Sequence, residues 1–411
     1  MKPPTRRFAE ENLVSTFRPR DAGPRRCRNH FVHRDDRHDA LCGWSFVPNA
    51  RIRRVVCSLG NARFRGAEQM KRTEPLTWGL VGASDIAATR MIPAIRRVGD
   101  AVAAVVSGDR KHAESYAERN GIPKYFHNLD DLLADPTINA VYISSRNEYH
   151  CRQTTAAAAA GKHILCEKPM ATSLDEADTM VAACDEAGVV LAINHHLPAA
   201  GTHRKIRELV TEGRIGRPLS VNVRHSTLLP ERLRGWRLEE APGAGVVMDL
   251  SCHNASVVNR LLGTRPLDVV AANANQGVWS SGVDDASSAS IRYEGSVLAD
   301  FQDSFTLPFT PSYIQVNGEH GNILGFDVMT PEPKGSVVLT DNGGQYEIRV
   351  DDRRHSYDIT LKHFRSSLYG ISRPVVDGLD ARNALAVSIA ILGAARTGRR
   401  IGVDFLTEGR I

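Results

Sequence analysis

The sequence predicts an α/β protein in which a doubly wound parallel sheet is followed by a second α/β domain with a mainly antiparallel sheet. Three observations carry this expectation. From Leu76 to Asn194 short β-branched and apolar runs alternate with amphipathic helical stretches. The first of those runs, TWGLVGA, ends in a turn of small residues. Beyond Pro218 the periodicity changes to two, as in SVNVRHS and VLADFQDSF, the pattern of strands with one buried face.

The elements follow in order. TWGLVGA reads as an apolar strand that runs into Gly82, Ala83, Ser84, Asp85, Ile86 and Ala87 before a helix over Thr89 to Val98. Gly82 allows the turn, Ser84 is small enough to let backbone approach a pyrophosphate, and Ala87 lets the helix pack on its strand, which is the layout of a Rossmann dinucleotide site. Ala101 to Ser107 forms a second strand, and Asp109 caps a helix that Gly121 ends. Ile138 to Ser145 is a further strand, with Asn147, Glu148 and His150 at its carboxyl end. After a helix stopped by Gly161, the strand His163 to Cys166 places Glu167, Lys168 and Pro169 just past its end, with Pro169 fixing the local backbone, in cis or trans. Ser173 and Glu176 read as a capping box for a helix closed by Gly188, and Val189 to Asn194 completes the sheet. The second half offers a helical segment from Val246 to Leu262 and strands over Leu219 to Thr227, Ala286 to Tyr293, Val297 to Thr306, Ile314 to Asn317 and Ser336 to Thr340. A helix from Tyr357 and another from Ala381 to Thr397 close the chain.

Bulk properties bound what such a chain does. Its 411 residues, 42% hydrophobic, suffice for two domains, and no apolar run reaches the roughly 20 residues of a membrane span. The longest, Ala384 to Ala395, is expected to pack on a core. The net charge of +5 hides an asymmetry, because residues 1–69 hold 15 Lys or Arg against 7 Asp or Glu, leaving the remainder at −3. An acidic body argues against a nucleic-acid face on the folded part. Residues 1–75 read as a basic, disordered extension, with Met70 as the expected start of translation; a zinc site from Cys27, His30, His33, His38 and Cys42 has no recognisable ligand spacing. The seven cysteines are odd in number and widely spaced, so they read as free thiols of a cytoplasmic protein.

Three polar groups suggest carbonyl chemistry. Reducing a ketone needs a hydride donor, a cation or proton donor at the oxygen, and polar groups for neighbouring hydroxyls. Lys168 stands where its ammonium can reach such an oxygen. Asp249 and His253, four apart on one helical face, read as an acid and its orienting partner, with His253 donating the proton. No metal is expected: His195 and His196 are adjacent and would point to opposite faces of a strand, away from a common ion with His253. The choice of cofactor turns on the end of the second strand, where Ser107 and Gly108 are neutral and Arg110, Lys111 and His112 can meet a 2′-phosphate, favouring NADP. Asp109 stands near the spacing of the carboxylate that binds the ribose of NAD, which keeps NAD open.

The segments WGLVGASDIA, VYISSRNEYH, AGKHILCEKPM, INHHL, EGRIGRP, GWRLE and GVVMDLSCHN resemble the glucose-fructose oxidoreductase, inositol dehydrogenase and rhizopine catabolism protein (Gfo/Idh/MocA) family over roughly residues 76–405. The resemblance implies a Rossmann domain over 76–195 and a domain over 196–411 whose open antiparallel sheet often mediates homo-oligomers. It implies cofactor contacts from Ala83, Ser84, Asp85, Ile86, Ser107 and Gly108, from Ser144, Ser145, Arg146, Asn147, Glu148 and Tyr149, and from Glu167, Lys168, Asn194, Trp236, Arg237 and Tyr357. It further implies NADPH-dependent reduction of a small sugar ketone such as 1,5-anhydro-D-fructose. The alternatives are an NAD-linked dehydrogenase of an inositol or pyranose, and a dinucleotide-binding sensor without turnover. Three departures stand out: His112 replaces an Arg, and Asp85 and Arg146 each replace a Thr.

Overall fold

The computed structural model describes residues 74–278 and 282–407. The expectations for the first 69 residues, the start at Met70 and the Cys27 to Cys42 cluster lie outside the described residues.

The first half is built on strands β1 (Thr77–Val81), β2 (Ala101–Val106), β3 (Lys124–Phe126), β4 (Ala140–Ile143), β5 (His163–Cys166) and β6 (Leu191–Ile193). They form one sheet in the order β3-β2-β1-β4-β5-β6, every pair parallel. Crossovers run through α1 (Ile92–Arg97), α2 (Arg110–Asn120), α3 (Leu129–Leu133), α4 (His150–Ala159) and α5 (Leu174–Ala187). Strand order reverses between β1 and β4, so the connections leave in opposite directions and a crevice opens at the carboxyl ends. The helix expected over Thr89 to Val98 begins as a π turn, Ala87–Met91, before continuing as α1. The Ser173 cap is formed, its hydroxyl accepting from the Glu176 amide at 3.2 Å. Glu176 reaches back one residue further than a capping box requires, accepting from the Thr172 amide at 2.9 Å.

The second half contains α6 (Gly201–Thr211), β7 (Pro218–Ser226), α7 (Cys252–Leu262), β8 (Pro266–Ala274), β9 (Ala286–Tyr293), β10 (Leu298–Ser304), β11 (Tyr313–Gly318), β12 (Gly321–Phe326), β13 (Ser336–Asp341), β14 (Gly344–Ile348), α8 (Ser356–Leu368), α9 (Gly378–Thr397) and β15 (Ile401–Gly402). Its nine strands lie in the order β14-β13-β12-β11-β7-β10-β9-β8-β15, antiparallel except for the parallel pair β7 and β10. Inward residues alternate as the period-two pattern requires: Val221, Val223 and His225 on β7 match Ala299, Phe301 and Asp303 on β10.

The C-terminal helices belong to both halves. Phe364 of α8 is fully buried against Trp78 of β1, ring centroids 5.2 Å apart, and Tyr357 and Leu361 join the same cluster. Asp100 locks this seam, accepting from the Leu76 amide at 2.7 Å and the Trp78 indole at 3.2 Å while pairing with Arg365 of α8. Helix α9 is apolar enough by length and composition to cross a membrane, yet Ala381 and Leu385 pack into the first half's core, and Ala384, Val387, Ala390 and Ile391 into the second's. The apolar run of the sequence is thus spent on two cores.

Candidate active site

Every strand end of the first sheet that the sequence singled out contributes to one rim. At the end of β1, Gly82 has a φ of +105°, which favours glycine, and a Cβ there would stand 2.9 Å from the Ser145 amide nitrogen. The turns after β1 and β4 therefore approach each other closely. Ser84 bridges them: its hydroxyl donates to Ser144 Oγ at 2.7 Å and accepts from the Ala87 amide at 3.1 Å, and its carbonyl accepts from Tyr116 of α2 at 2.8 Å. This small-sided, rigid turn at a helix start fits the pyrophosphate of a dinucleotide. At the end of β2, Asp109 commits its carboxylate to the cap of α2, accepting from the His112 amide at 3.1 Å, and the His112 ring lies 3.3 Å from Ser107 Oγ. Gly108, Arg110 and Lys111 are exposed around it.

After β4, Asn147, Glu148 and Tyr149 form a 3-10 turn, with Asn147 buried and Tyr149 exposed. Segment 227–245 of the second half reaches across to these turns. Arg232 pairs with Asp85, Glu239 with Arg146 at 2.8 Å, and Asn147 donates to the Gly243 carbonyl at 3.0 Å. The same segment carries Trp236 and Arg237, the guanidinium lying 4.7 Å from the indole centroid.

After β5 lies a polar centre. Glu167 accepts from Tyr142 at 2.5 Å and from Asn194 at 2.6 Å; burial raises its carboxyl above the usual range while these partners and Lys168 oppose the rise. The Lys168–Pro169 bond is cis. Lys168 donates from Nζ to Asp249 Oδ1 at 2.6 Å and to the Asp249 carbonyl at 2.8 Å. Burial alone would pull this ammonium down, yet the Asp249 carboxylate holds it above the ordinary lysine range. Burial likewise opposes the charge on Asp249, but Lys168, with Arg237 3.4 Å away, holds its carboxyl far below the usual range.

Next to this ion pair sit four buried imidazoles. The His253 ring centroid lies 5.5 Å from that of His195, 4.8 Å from His196 and 6.2 Å from His225, and Tyr357 stacks on His196 at 5.5 Å. Burial first, and then Lys168, holds His253 and His196 well below 6.5, His195 at about 3 and His225 at about 4, so all four are neutral near pH 7. His195 Nδ1, His196 Nε2 and His253 Nδ1 are buried without a hydrogen-bond partner among the described residues. Orphaned polar atoms converging beside an ion pair mark a place that a polar ligand completes.

Two expectations are corrected here. Asp249 is not hydrogen-bonded to His253: the helix from Val246 opens with a π turn, Val247–Ser251, which shifts the i, i+4 geometry and gives the carboxylate to Lys168 and Arg237. His195 and His196 do not point apart, because β6 ends at Ile193 and both rings turn toward His253.

Comparison with known proteins agrees with this geometry. Residues 76–195 match the oxidoreductase family model with an NAD-binding Rossmann fold, and residues 203–324 match the GFO/IDH/MocA C-terminal domain. The chain is 40% identical over 328 residues, 80% of its length and 98% of the relative's, to a 1,5-anhydro-D-fructose reductase of Ensifer adhaerens. The chain belongs to the GFO/IDH/MocA oxidoreductase family. Other members similar to it are an NADP(+) D-xylose 1-dehydrogenase of Haloferax volcanii, 29% identical over 80% of this chain and 100% of that protein, and a myo-inositol 2-dehydrogenase of Thermotoga maritima, 25% identical over 75% and 93%. In fold it matches the aldose-aldose oxidoreductase of Caulobacter crescentus with a TM-score of 0.74 at 24% identity, over 80% of this chain and all of that one. It is an NAD(P)-dependent oxidoreductase by family, which leaves the sensor alternative without support.

Within this GFO/IDH/MocA chain the sequence missed His225 as a wall of the site, and it considered His195 and His196 only as metal ligands. The alternation in SVNVRHS was the signal for His225, since it places that ring on the inward face with Val221 and Val223. Arg232 and Glu239 carry no local signal, because their partners lie 147 and 93 residues away.

Proposed function

We propose that the protein reduces a sugar ketone with NADPH, 1,5-anhydro-D-fructose being the substrate to test first. The observation that carries this reading is the Lys168 ammonium, held at 2.6 Å by Asp249 beside the neutral imidazole of His253 at the carboxyl rim of the parallel sheet. Gly82 to Ile86, Ser144 to Tyr149, Glu167, Asn194, Trp236, Arg237 and Tyr357 hold the cofactor, whose nicotinamide supplies the hydride. Asp109 is spent on a helix cap, so Arg110 and His112 are left to meet a 2′-phosphate, which supports NADP. Lys168 stabilises the negative charge growing on the carbonyl oxygen, Asp249 orients Lys168, and His253 delivers the proton.

One observation favours a second reading. A neutral His253 is already a base, so oxidation of an inositol or pyranose by NAD(P) starts from the resting state, whereas reduction first requires a proton on His253. Following NADPH and NADH absorbance, with reduced cofactor supplied to anhydro-ketoses and osones and oxidised cofactor to polyols, separates the two. Oxidation of NADPH by an anhydro-ketose, at least tenfold faster than of NADH, is the expected result. Turnover of polyols alone selects the second reading, and no change in either cofactor with any compound defeats both.

A further inference from the structure

Behind the histidines lies a buried polar chain that the chemistry above does not use. Asp303 on β10 is 1% exposed. Its Oδ2 accepts from Ser251 Oγ at 2.5 Å and its Oδ1 from Asn254 Nδ2 at 2.7 Å. The other end of the Asn254 amide, Oδ1, faces His225 Nδ1 at 3.1 Å. Strands β10 and β7 are the parallel pair, in a register that sets Asp303 against His225, so two strands and α7 fix the whole chain of contacts.

Hydrogen-bond directionality propagates along it. A carboxylate only accepts, so it takes the NH2 end of Asn254 and turns the amide oxygen toward His225. That oxygen admits only an N–H at His225 Nδ1. Burial holds His225 down at about 4, so the ring is neutral and carries a single hydrogen, and with that hydrogen on Nδ1 the Nε2 is a bare lone pair. Nε2 has no hydrogen-bond partner among the described residues and is not sealed from solvent. The ring centroid stands 6.2 Å from that of His253.

We propose that Asp303 is a positioning residue which, through Asn254, fixes His225 as its Nδ1–H tautomer and so presents Nε2 as the acceptor for a hydroxyl of the substrate. The substrate class rests on the reading under Proposed function; the tautomer does not. The groups facing Asp303 are His225 from β7, Ser251, Cys252 and Asn254 from α7 and its opening turn, and Ser287 opposite it on β9. Because burial pushes the Asp303 carboxyl up to about 7, the test is made at pH 8.5, where it is ionised.

The two-bond 1H–15N spectrum of the histidine rings of the full chain, without ligands, reads the tautomer directly, with the His225 signal assigned by its loss in His225→Gln. The Nδ1–H pattern is expected for His225 in the wild type, and a mixture of tautomers in Asp303→Asn. An Nε2–H ring in the wild type overturns the proposal, whether or not Asp303→Asn folds. With the ketose of the assay, His225→Ala raises KM for the sugar about tenfold, the loss of one hydrogen bond, and leaves KM for NADPH unchanged. Asp303→Asn alone raises the same KM, and it adds less than twofold in the His225→Ala background. Full additivity of the two changes makes Asp303 merely structural and overturns its role. If the wild type turns over no sugar, the functional reading fails by itself, and the spectrum alone still decides the tautomer.

Discussion

At the scale of the residue, the site is an arrangement of charge states set by burial and by one ion pair. The depressed Asp249 contributes stability that is present above the ordinary carboxylate titration and lost as pH falls through its lowered value. The raised Lys168 contributes stability that is present below the ordinary lysine titration and lost as pH rises through its raised value. The pair is therefore whole between about pH 4 and pH 10. Within that window Lys168→Ala is expected to lower kcat by about two orders of magnitude or more, while cofactor binding, read by fluorescence titration, persists. A rate within threefold of the wild type removes Lys168 from the chemistry. His253 yields a sharper prediction, because burial and Lys168 hold it well below 6.5. Throughout pH 6.5 to 9 its protonated fraction falls about tenfold per pH unit, so kcat/KM for ketone reduction falls with slope −1. Oxidation, which needs the neutral ring, holds its rate across that range and declines only in acid. A reduction profile flat to pH 9 transfers the proton donor from His253 to Lys168, whose titration lies higher.

At the scale of the element, what could be read from the sequence followed from whether local pattern alone sets the structure. The carboxyl ends of β1, β4 and β5 were legible because a buried parallel strand is a short apolar run and the residue after it stands at the rim. Strand β8 was not, since Pro266–Ala274 is diluted by Asp268, Asn273 and three alanines and only Pro266 and Val269 of it are buried, and β12 is diluted by Gly321 and Gly325. The π turn at Val247–Ser251 leaves no mark on composition, so the four-residue spacing of Asp249 and His253 was read as a pairing that the structure does not make. The histidine wall required contacts between β6, β7 and α7, which no single segment encodes. The β1 turn shows the opposite case, where one glycine decides an element. Gly82→Ala places a Cβ 2.9 Å from the Ser145 amide at a φ of +105°, so it pushes the β4 turn away. We expect the dissociation constant for NADPH to rise at least tenfold and stability to fall by about 1–3 kcal/mol. Unchanged cofactor titration in that variant contradicts the placement of the pyrophosphate at this turn. Segment 227–245 makes a related prediction, since its ion pairs Arg232 to Asp85 and Glu239 to Arg146 are exposed. Such pairs contribute about 0–1 kcal/mol each and are screened by salt. NADPH release should therefore quicken by less than about tenfold as salt rises from low ionic strength to about 0.5 M, and Arg232→Ala combined with Glu239→Gln should abolish most of that dependence. A salt response that survives in the double variant assigns it to contacts other than this segment.

At the scale of the whole molecule, the division of the chain into a dinucleotide half and a second half does not describe its stability. Helix α9 inserts Leu385 into the core of the first sheet and Ile391 into that of the second, 1% and 0% exposed. Residues 376 and 377, just before it, bond back to the edge of the first sheet, where the Ile193 amide donates to the Val376 carbonyl at 3.0 Å and Ala192 bridges Asp377. Helix α8 closes the opposite seam through Phe364 and Arg365. Neither half can lose its core without stripping a helix from the other, so the two are expected to unfold in one transition rather than two. Leu385→Ala tests this, because the deleted methyl groups touch only the first core. The cost is about 2–5 kcal/mol for a fully buried leucine. If the halves are coupled, the single urea transition followed by Trp fluorescence and by circular dichroism moves as a whole to lower denaturant, both probes coinciding and the slope unchanged. If α9 is only a passive cover, the first half melts early and the two probes separate, because Trp78, followed in a chain whose other three tryptophans are replaced by Phe, reports that half while the circular dichroism retains the nine-stranded sheet. The reciprocal change, Ile391→Ala in the other core, must give the same coincident shift, since coupling through a shared helix acts equally in both directions.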